Sequence, residues 1–318
     1  MATKIQSILK HVGRGKTLSR DLDRGQAREA MDSLLRGEFS PGQAGAFLQA
    51  MRIKEATLDE ILGANDALQA FRASQTIFAE EGSMVVNIAF DTPRKGGVIS
   101  LLACAYLRRT NLAKPVLVWE PPSLFPAVDA IGETVRILRA DRWLSEGECP
   151  LVAVREMVPD WTRLAGLRSE LGFRTILNTL EKILSPIPGA PVVAGISHGS
   201  FFGRLAEVLS QTGAQRVAVV KGHHGTCDLG FGVEPTRVAV SLQGGSSQEV
   251  EIATPPGVDA SLLLLSGLER WPGLLSEPGS PLLELVREQA AFLLWGTTGL
   301  PLEQAREQVK TAGEKHGT

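Results

Sequence analysis

The sequence predicts an α/β protein with a small N-terminal all-α domain and a larger α/β domain built on a mainly parallel central sheet. The first 75 residues contain helix start signals and no strand signal, whereas from residue 83 short apolar runs alternate with helical periods. A chain of 318 residues that is 43% apolar is long enough to bury such a core. We expect residues 1–80 to form the helical domain and residues 81–318 the α/β domain.

Helix start signals are frequent in the N-terminal 75 residues. Ser40 is a good N-cap in front of Pro41, because proline is favoured at the first helical position. Thr57 and Glu60 have the spacing of a capping box, in which each side chain bonds the backbone amide of the other residue. These signals predict three or four short helices before the first strand.

Apolar runs after residue 82 indicate buried strands. We expect strands at 83–90, 116–119, 151–154, 192–196, 217–220 and 238–242. The segment between the fourth and fifth runs has a helical apolar face, which predicts a β-α-β unit and hence a mainly parallel sheet. Further helices are expected at 160–184, 281–295 and 301–311, and we expect the first of them to join the N-terminal helical domain.

Composition excludes several classes of protein. Cys104, Cys149 and Cys227 are too few and too scattered for a disulfide framework. No apolar run is long enough to span a membrane and no signal-peptide pattern is present, so we expect a cytoplasmic protein without a membrane partner. The formal charge of −2 argues against a protein coated in nucleic acid, but the first 30 residues could present a cationic face. Its basic residues are Lys4, Lys10, Arg14, Lys16, Arg20, Arg24 and Arg28.

Three segments of the chain carry a family resemblance. They read GEFSPGQAGAFLQAMRIK at 37–54, LRSELGFRTILNTLEKILSP at 167–186 and GISHGSFFGRLAEVLSQTGAQRVAVVKG at 195–222. The second is similar to the pattern LR-x-x-LG-x-RT-x-x-N-x-L-x-x-L-x-NP of the anthranilate phosphoribosyltransferases, which belong to glycosyltransferase family 3. The other two resemble the helical domain and a G-x-x-H segment of that family. The resemblance implies the family's fold, a homodimer, and transfer of a phosphoribosyl group from PRPP to an amine with Mg²⁺.

The resemblance places the family's phosphate turn at 91–100, which reads DTPRKGGVIS. Paired glycines let a backbone approach an anion, and the adjacent basic residues add positive charge. The anion-binding candidates of this turn are Arg94, Lys95, Gly96, Gly97 and Ser100. Pro93 and the missing acid depart from the family's GTGGDG turn, so the other interpretation is a basic turn that leads into a buried helix.

Glu120 is a second departure from the family pattern. It ends the strand at 116–119, where the family has a KHGN-type segment that contacts the leaving group. A carboxylate at this place is hard to reconcile with pyrophosphate binding.

The resemblance also implies an acceptor pocket. The family's substrate arginine falls on Arg168, and Asn178 and His198 are the further candidates for this pocket. Arg168 could hold a carboxylate or a phosphate in bidentate fashion. Its alternative role is that of a cation on a helix surface, paired with Glu170 or Asp160.

The resemblance places the family's metal loop, H-G-x-D-G-x-D-E, on the segment VKGHHGTCD at 220–228. The two acids that would hold Mg²⁺ fall on Cys227 and Asp228, and these are the candidate metal ligands. Mg²⁺ prefers hard oxygen ligands, so Mg²⁺ is expected only if the chain is a transferase. A zinc site that also uses His198 is a second interpretation. We favour an anion-binding loop that contains Lys221, His223 and His224.

With these departures, the sequence resembles the divergent YbiB-like branch of the family. The members of that branch keep the fold and bind nucleic acid. The sequence therefore leaves several functions open. The first is a protein without the standard activity that binds DNA or RNA non-specifically through phosphate contacts. The second is a pentosyltransferase that uses PRPP and an aromatic or heterocyclic amine. The third is a structural dimer with a vestigial cleft.

Overall fold

The computed structural model describes residues 3–15, 17–72, 80–89, 99–120, 134–136, 138–139, 149–197, 201–222, 225–230, 235–253, 263–277 and 279–316. Its first part is a bundle of four helices, as expected. They are α1 (Lys4–Val12), α2 (Arg24–Leu35), α3 (Pro41–Lys54) and α4 (Leu58–Ala70).

Each helix of the bundle begins with a capping box. The N-cap side chain accepts a hydrogen bond from the third helical amide, and the third residue bonds the N-cap amide in return. The N-caps are Thr3, Asp23, Ser40 and Thr57. The start signals predicted at Ser40 and Thr57 are therefore confirmed.

The second part contains a seven-stranded sheet in the described residues. Its strands are β1 (Ser83–Asn87), β2 (Lys114–Trp119), β3 (Leu151–Ala153), β4 (Val192–Gly195), β5 (Arg216–Val220), β6 (Thr236–Leu242) and β7 (Gln248–Ile252). They are ordered β3-β2-β1-β4-β5-β6-β7. The pairs from β3 to β5 are parallel and the last two pairs are antiparallel, so the prediction of a mainly parallel sheet is confirmed. The sequence analysis missed β7.

Helices cover both faces of the sheet. They are α5 (Ile99–Arg109), α6 (Val154–Met157), α7 (Trp161–Leu171), α8 (Ile176–Ile183), α9 (Phe202–Gln211), α10 (Trp271–Leu275), α11 (Pro281–Thr298) and α12 (Leu302–His316). The described part of the chain contains no helix long and apolar enough to span a membrane.

Alternate residues of each central strand enter two different cores. In β1, Val85 packs with the helical bundle and with α7, α8 and α9, whereas Met84 and Val86 pack with α5, α11 and α12. This alternation follows from the two-residue period of a strand. The four-helix bundle therefore shares one core with one face of the sheet.

A buried carboxylate joins three elements of the bundle. Glu60 is fully buried and accepts hydrogen bonds from the amides of Leu22, at 2.8 Å, and Thr57, at 2.7 Å. It also accepts one from the ammonium of Lys54, at 2.5 Å, whose side chain is only 4% exposed. A single carboxylate thus fixes the segment before α2, the end of α3 and the start of α4.

We expect Glu60→Ala to lower the free energy of unfolding by about 3–5 kcal/mol, because the amides of Leu22 and Thr57 lose their acceptor and the buried ammonium of Lys54 keeps only the exposed carboxylate of Asp21. Urea denaturation measures this loss. The matched control is Glu38→Ala on the surface, which should change stability by less than about 0.5 kcal/mol. Equal effects of the two substitutions would contradict the role given to Glu60.

Candidate functional site

The direction of the strand order reverses between β1 and β4. From β1 the chain proceeds outward through β2 to β3, and it then returns to the other side of β1 with β4 and β5. In open α/β sheets this reversal leaves a crevice at the carboxyl ends of the two strands, and ligands bind there. The candidate functional site therefore lies beyond Asn87 and Gly195.

Loop 225–230 lies over these strand ends. The thiol of Cys227 donates to the carbonyl oxygen of Asn87, at 3.2 Å, and to that of Val193, at 3.6 Å. Gly195 permits this approach, because a Cβ at that position would lie 2.1 Å from the carbonyl carbon of Thr226. Cys227 is fully buried in consequence, and it closes the crevice from the side of β5.

Lys182 closes the same crevice from α8. Its ammonium donates to the carbonyl oxygens of Ala89, at 2.9 Å, and Gly195, at 2.8 Å. The side-chain amide of Asn87 donates to the carbonyl oxygen of Glu181, at 2.9 Å, which docks α8 on β1. Lys182 therefore fixes the last described residues before 90–98, the segment that holds most candidates of the phosphate turn.

The carboxylate of Asp228 caps the N-terminus of α5. Its Oδ1 accepts from the amide of Ser100, at 2.8 Å, and from the hydroxyl of Ser100, at 2.5 Å. A negative charge is favourable there, because the first amides of a helix lack intrahelical partners and the helix dipole is positive at this end. The anion bound by Ser100 is thus a carboxylate of the chain itself.

Gln289 of α11 holds the loop and the helix start together. Its amide nitrogen donates to the carbonyl oxygen of Cys227, at 2.8 Å, and to the hydroxyl of Ser100, at 3.3 Å. Its amide oxygen accepts from the amide of Leu229, at 2.8 Å. The contact between Asp228 and Ser100 is therefore part of a fully buried network.

The described residues of the loop do not fit a magnesium ion. Asp228 supplies a single carboxylate, which is fully buried and hydrogen-bonded to Ser100, whereas Mg²⁺ is usually held by carboxylates together with several waters. Cys227 supplies a soft thiol that is hydrogen-bonded to backbone carbonyls. Among the residues that the structure describes, no group of three His, Cys, Asp or Glu side chains could hold a metal ion. A zinc site would require the thiol of Cys227 to leave these carbonyls.

Glu120 at the end of β2 forms an ion pair with Arg155. The Nε of Arg155 donates to Oε1 of Glu120, at 3.0 Å, and the backbone amide of Arg155 donates to Oε2, at 3.2 Å. The carboxylate side chain is 1% exposed, whereas the guanidinium side chain is 39% exposed. The carboxylate that departs from the family pattern is thus neutralised within the chain.

Arg168 forms an ion pair with Glu181 in the protein interior. The two side chains are 1% and 2% exposed, and the indole nitrogen of Trp161 donates to the same carboxylate, at 3.3 Å. The expectation of a helix-surface cation is wrong in its placement, because Arg168 is buried and pairs with Glu181 of α8. Its assignment to an acceptor pocket stays a prediction.

Of the other candidates, Asn178 and Lys221 lie within the described residues. Asn178 accepts a hydrogen bond from the amide of Thr175, at 2.9 Å, and so forms part of the capping box of α8. Lys221 is exposed directly after β5. The remaining candidates, Arg94, Lys95, Gly96, Gly97, His198, His223 and His224, lie outside the described residues.

Comparison with known proteins agrees with this architecture. Residues 6–71 match the model of the glycosyl transferase family, helical bundle domain. An uncharacterized protein of Aquifex aeolicus is 26% identical over 261 residues, which cover 79% of this chain and 77% of that protein. The anthranilate phosphoribosyltransferase of Methylobacterium radiotolerans is 29% identical over 231 residues, which cover 70% of this chain and 66% of that enzyme.

A solved structure extends the likeness to nearly the whole chain. Anthranilate phosphoribosyltransferase from Saccharomyces cerevisiae, in complex with PRPP and Mg, superposes with a TM-score of 0.74. The match covers 99% of this chain and 95% of the yeast chain at 13% identity, so it establishes the fold.

The chain is therefore similar to the anthranilate phosphoribosyltransferases over most of its length, and it carries the helical bundle domain of the glycosyl transferase family at residues 6–71.

Glu181 and Lys182 are two residues of the candidate site that the sequence analysis missed. Both fall on unspecified positions of the family pattern at 167–186, which therefore draws no attention to them. The available signal was local, since Glu181 and Lys182 are adjacent opposite charges within the largely apolar stretch ILNTLEKIL. One neutralises the arginine assigned to substrate and the other closes the crevice.

We expect Glu181→Leu to lower the free energy of unfolding by about 3–5 kcal/mol, because it leaves the buried charge of Arg168 without its carboxylate. The double substitution Arg168→Met with Glu181→Leu should recover most of this loss, since it removes both buried charges. Denaturant unfolding of the single and double variants checks both statements. A double variant as unstable as the single one would contradict the ion-pair account.

Proposed function

We propose that this anthranilate phosphoribosyltransferase-like protein has lost the Mg²⁺-dependent transfer from PRPP and instead binds polyanions, such as DNA or RNA, as a cytoplasmic homodimer. The observation that carries the first half is the contact of Asp228 with the amide and hydroxyl of Ser100. A helix N-terminus is a ready anion site, and here a tethered carboxylate already uses its donors.

Two ion pairs close to the crevice support this half of the proposal. Glu120 faces Arg155 and Glu181 faces Arg168, so both guanidinium groups have carboxylate partners within the chain. An incoming pyrophosphate would have to displace these carboxylates or approach them with the same sign of charge. Either event costs electrostatic free energy that an open cationic site would not impose.

Calorimetry with PRPP and Mg²⁺ tests this half. We expect no saturable heat for this protein under conditions in which the Methylobacterium radiotolerans enzyme, as the positive control, binds. Expression of the chain should also fail to restore growth of a bacterium that lacks anthranilate phosphoribosyltransferase. Saturable binding that requires Mg²⁺, or rescue of growth, would overturn the proposed loss of activity.

A basic surface at the N-terminus supports the second half of the proposal. We define the N-terminal basic surface as Lys10, Arg14, Arg20 and Arg28, which are exposed. None of the four lies within ion-pair distance of a carboxylate among the described residues, in contrast to Lys4 and Arg24, which pair with Glu29 and Asp66. Cations of this kind bind phosphates and release counterions, which makes binding salt-dependent.

Base stacking contributes little to this mode of binding. Tyr106 is the single tyrosine of the chain, and it is buried in α5 with its hydroxyl donating to the carbonyl oxygen of Val309, at 3.0 Å. Without an exposed tyrosine, the interaction rests mainly on phosphate contacts, and we expect little preference for base sequence.

We expect the protein to bind fluorescein-labelled DNA at low salt, with an affinity that falls linearly with the logarithm of salt concentration. Changing all four residues of the N-terminal basic surface to Gln should weaken binding and reduce the salt slope by about 0.9 for each phosphate that the variant no longer neutralises. Fluorescence anisotropy titrations at several salt concentrations measure both quantities.

The matched control removes four other surface arginines that have carboxylate partners. These are Arg36, Arg136, Arg237 and Arg306, each changed to Gln. The net charge changes by the same amount in both variants, so an equal loss of affinity would assign the effect to net charge alone. No complex at low salt would overturn the proposal of polyanion binding.

The alternative is a pentosyltransferase that uses PRPP and an aromatic or heterocyclic amine. The observation that favours it is the likeness over nearly the whole chain to a yeast enzyme solved with PRPP and Mg. Under this alternative, Arg168 would have to leave Glu181 for the acceptor amine's substituents. The calorimetric titration with PRPP and Mg²⁺ separates the two functions.

The similarity to the Aquifex aeolicus protein is consistent with membership of the YbiB-like branch.

A further inference from the structure

A polar cavity lies at the amino ends of the sheet strands, on the side opposite the candidate functional site. It has a volume of about 170 Å³ and lies between α2, α4, the segment that leads into β4 and the end of α9. We call it the rear pocket and define it by Arg24, Asn65, Asp66, Gln69, Arg72 and Thr212. Val192, the first residue of β4, also lines it, so it opens at the amino end of the strand whose carboxyl end adjoins the candidate functional site.

Arg72 brings a positive charge to the rear pocket without an acidic partner. Its guanidinium donates to the carbonyl oxygen of Pro186 and, at 3.5 Å, to the side-chain oxygen of Gln69. No carboxylate of the described residues lies within ion-pair distance of it. Burial lowers the pKa of Arg72, because desolvation disfavours the charged form and no nearby anion offsets the effect. A half-buried cation is therefore left with neutral acceptors.

Asn65 adds a buried donor to the same cavity. It is 5% exposed, and its side-chain oxygen accepts from the side-chain amide of Gln69, at 3.4 Å. No residue in the described part of the chain accepts a hydrogen bond from its side-chain nitrogen, and this atom is accessible from outside the protein core. A side chain that is nineteen-twentieths buried thus presents unused N–H groups to the cavity.

Several acceptors at or beside the rear pocket already have donors within the chain. Asp66 binds Arg24 in bidentate fashion, at 2.6 and 2.9 Å. The carbonyl oxygen of Gly189 accepts from the amide of Gln215, at 3.0 Å, and that of Leu209 accepts from both the amide and the hydroxyl of Thr212. Arg72 and Asn65 therefore offer donors at the wall, and a ligand that is complementary to these two residues must supply acceptors.

We infer that the rear pocket binds a small oxyanion, a phosphate or a carboxylate, through Arg72 and Asn65. Both residues are hydrogen-bond donors, and a guanidinium matches the paired oxygens of either anion. The cavity is smaller than the roughly 300–1,000 Å³ of ordinary ligand pockets, so it suits inorganic phosphate or a short carboxylic acid rather than a nucleotide. The ligand would join α4 to the segment before β4 and so link the helical bundle to the sheet.

Calorimetric titration of the full chain with inorganic phosphate, and separately with acetate and malonate, tests the inference at constant ionic strength in a buffer without oxyanions. We expect saturable binding of at least one of the two classes, and the two arms show which class it is. Arg72→Gln should weaken that binding by about 10- to 100-fold, because it removes charge-assisted hydrogen bonds. Arg306→Gln, which removes a surface arginine far along the chain, should leave it unchanged.

Two isosteric variants give opposite results if the anion occupies the rear pocket. Asn65→Asp places a carboxylate against the ligand and should abolish binding, whereas Asp66→Asn removes a negative charge from the wall and should tighten binding. Lys221→Gln, at the carboxyl ends of the strands, should have no effect on binding. That result would show that the anion does not bind at the candidate functional site. Absence of saturable binding by the unmodified chain, or full retention of binding in both Arg72→Gln and Asn65→Asp, would overturn the inference.

Discussion

The gap between the carboxyl ends of β1 and β4 organises the molecule. The backbone carbonyls of Asn87, Ala89 and Gly195 lie at these strand ends, and buried carbonyls require hydrogen-bond donors. The chain supplies those donors from two distant segments, through the thiol of Cys227 and the ammonium of Lys182. Because α8 also packs on α4 of the bundle, satisfying this gap docks the helical bundle on the sheet.

Three carboxylates at or near the described part of the crevice have partners within the chain. Asp228 accepts hydrogen bonds from the first turn of α5, Glu120 forms an ion pair with Arg155, and Glu181 forms an ion pair with Arg168. In an enzyme that binds a highly charged substrate, such donors must remain available until the substrate arrives, which costs stability. Here the same donors contribute to folding. Two cations donate to neutral carbonyl oxygens instead, Lys182 at the crevice and Arg72 in the rear pocket.

Local features of this fold could be predicted from the sequence, whereas the contacts at the site could not. A capping box spans four residues, so Ser40 and Thr57 reveal helix starts without knowledge of the rest of the chain. The apolar runs likewise located the central strands, but β7 was missed because its sequence QEVEI is charged and mostly exposed. The pairing of Asp228 with Ser100 joins residues 128 positions apart, and no local pattern encodes such a pairing.

The close approach of the loop to Gly195 couples this strand end to the start of α5. A methyl group at that position would overlap the backbone of Thr226 and Cys227, which would displace the loop that carries Asp228. The start of α5 would then lose its cap, although it lies about a hundred residues earlier in the chain. Residues 100, 195 and 228 are therefore mechanically coupled, and a side chain at position 195 would act on a helix start that it does not contact.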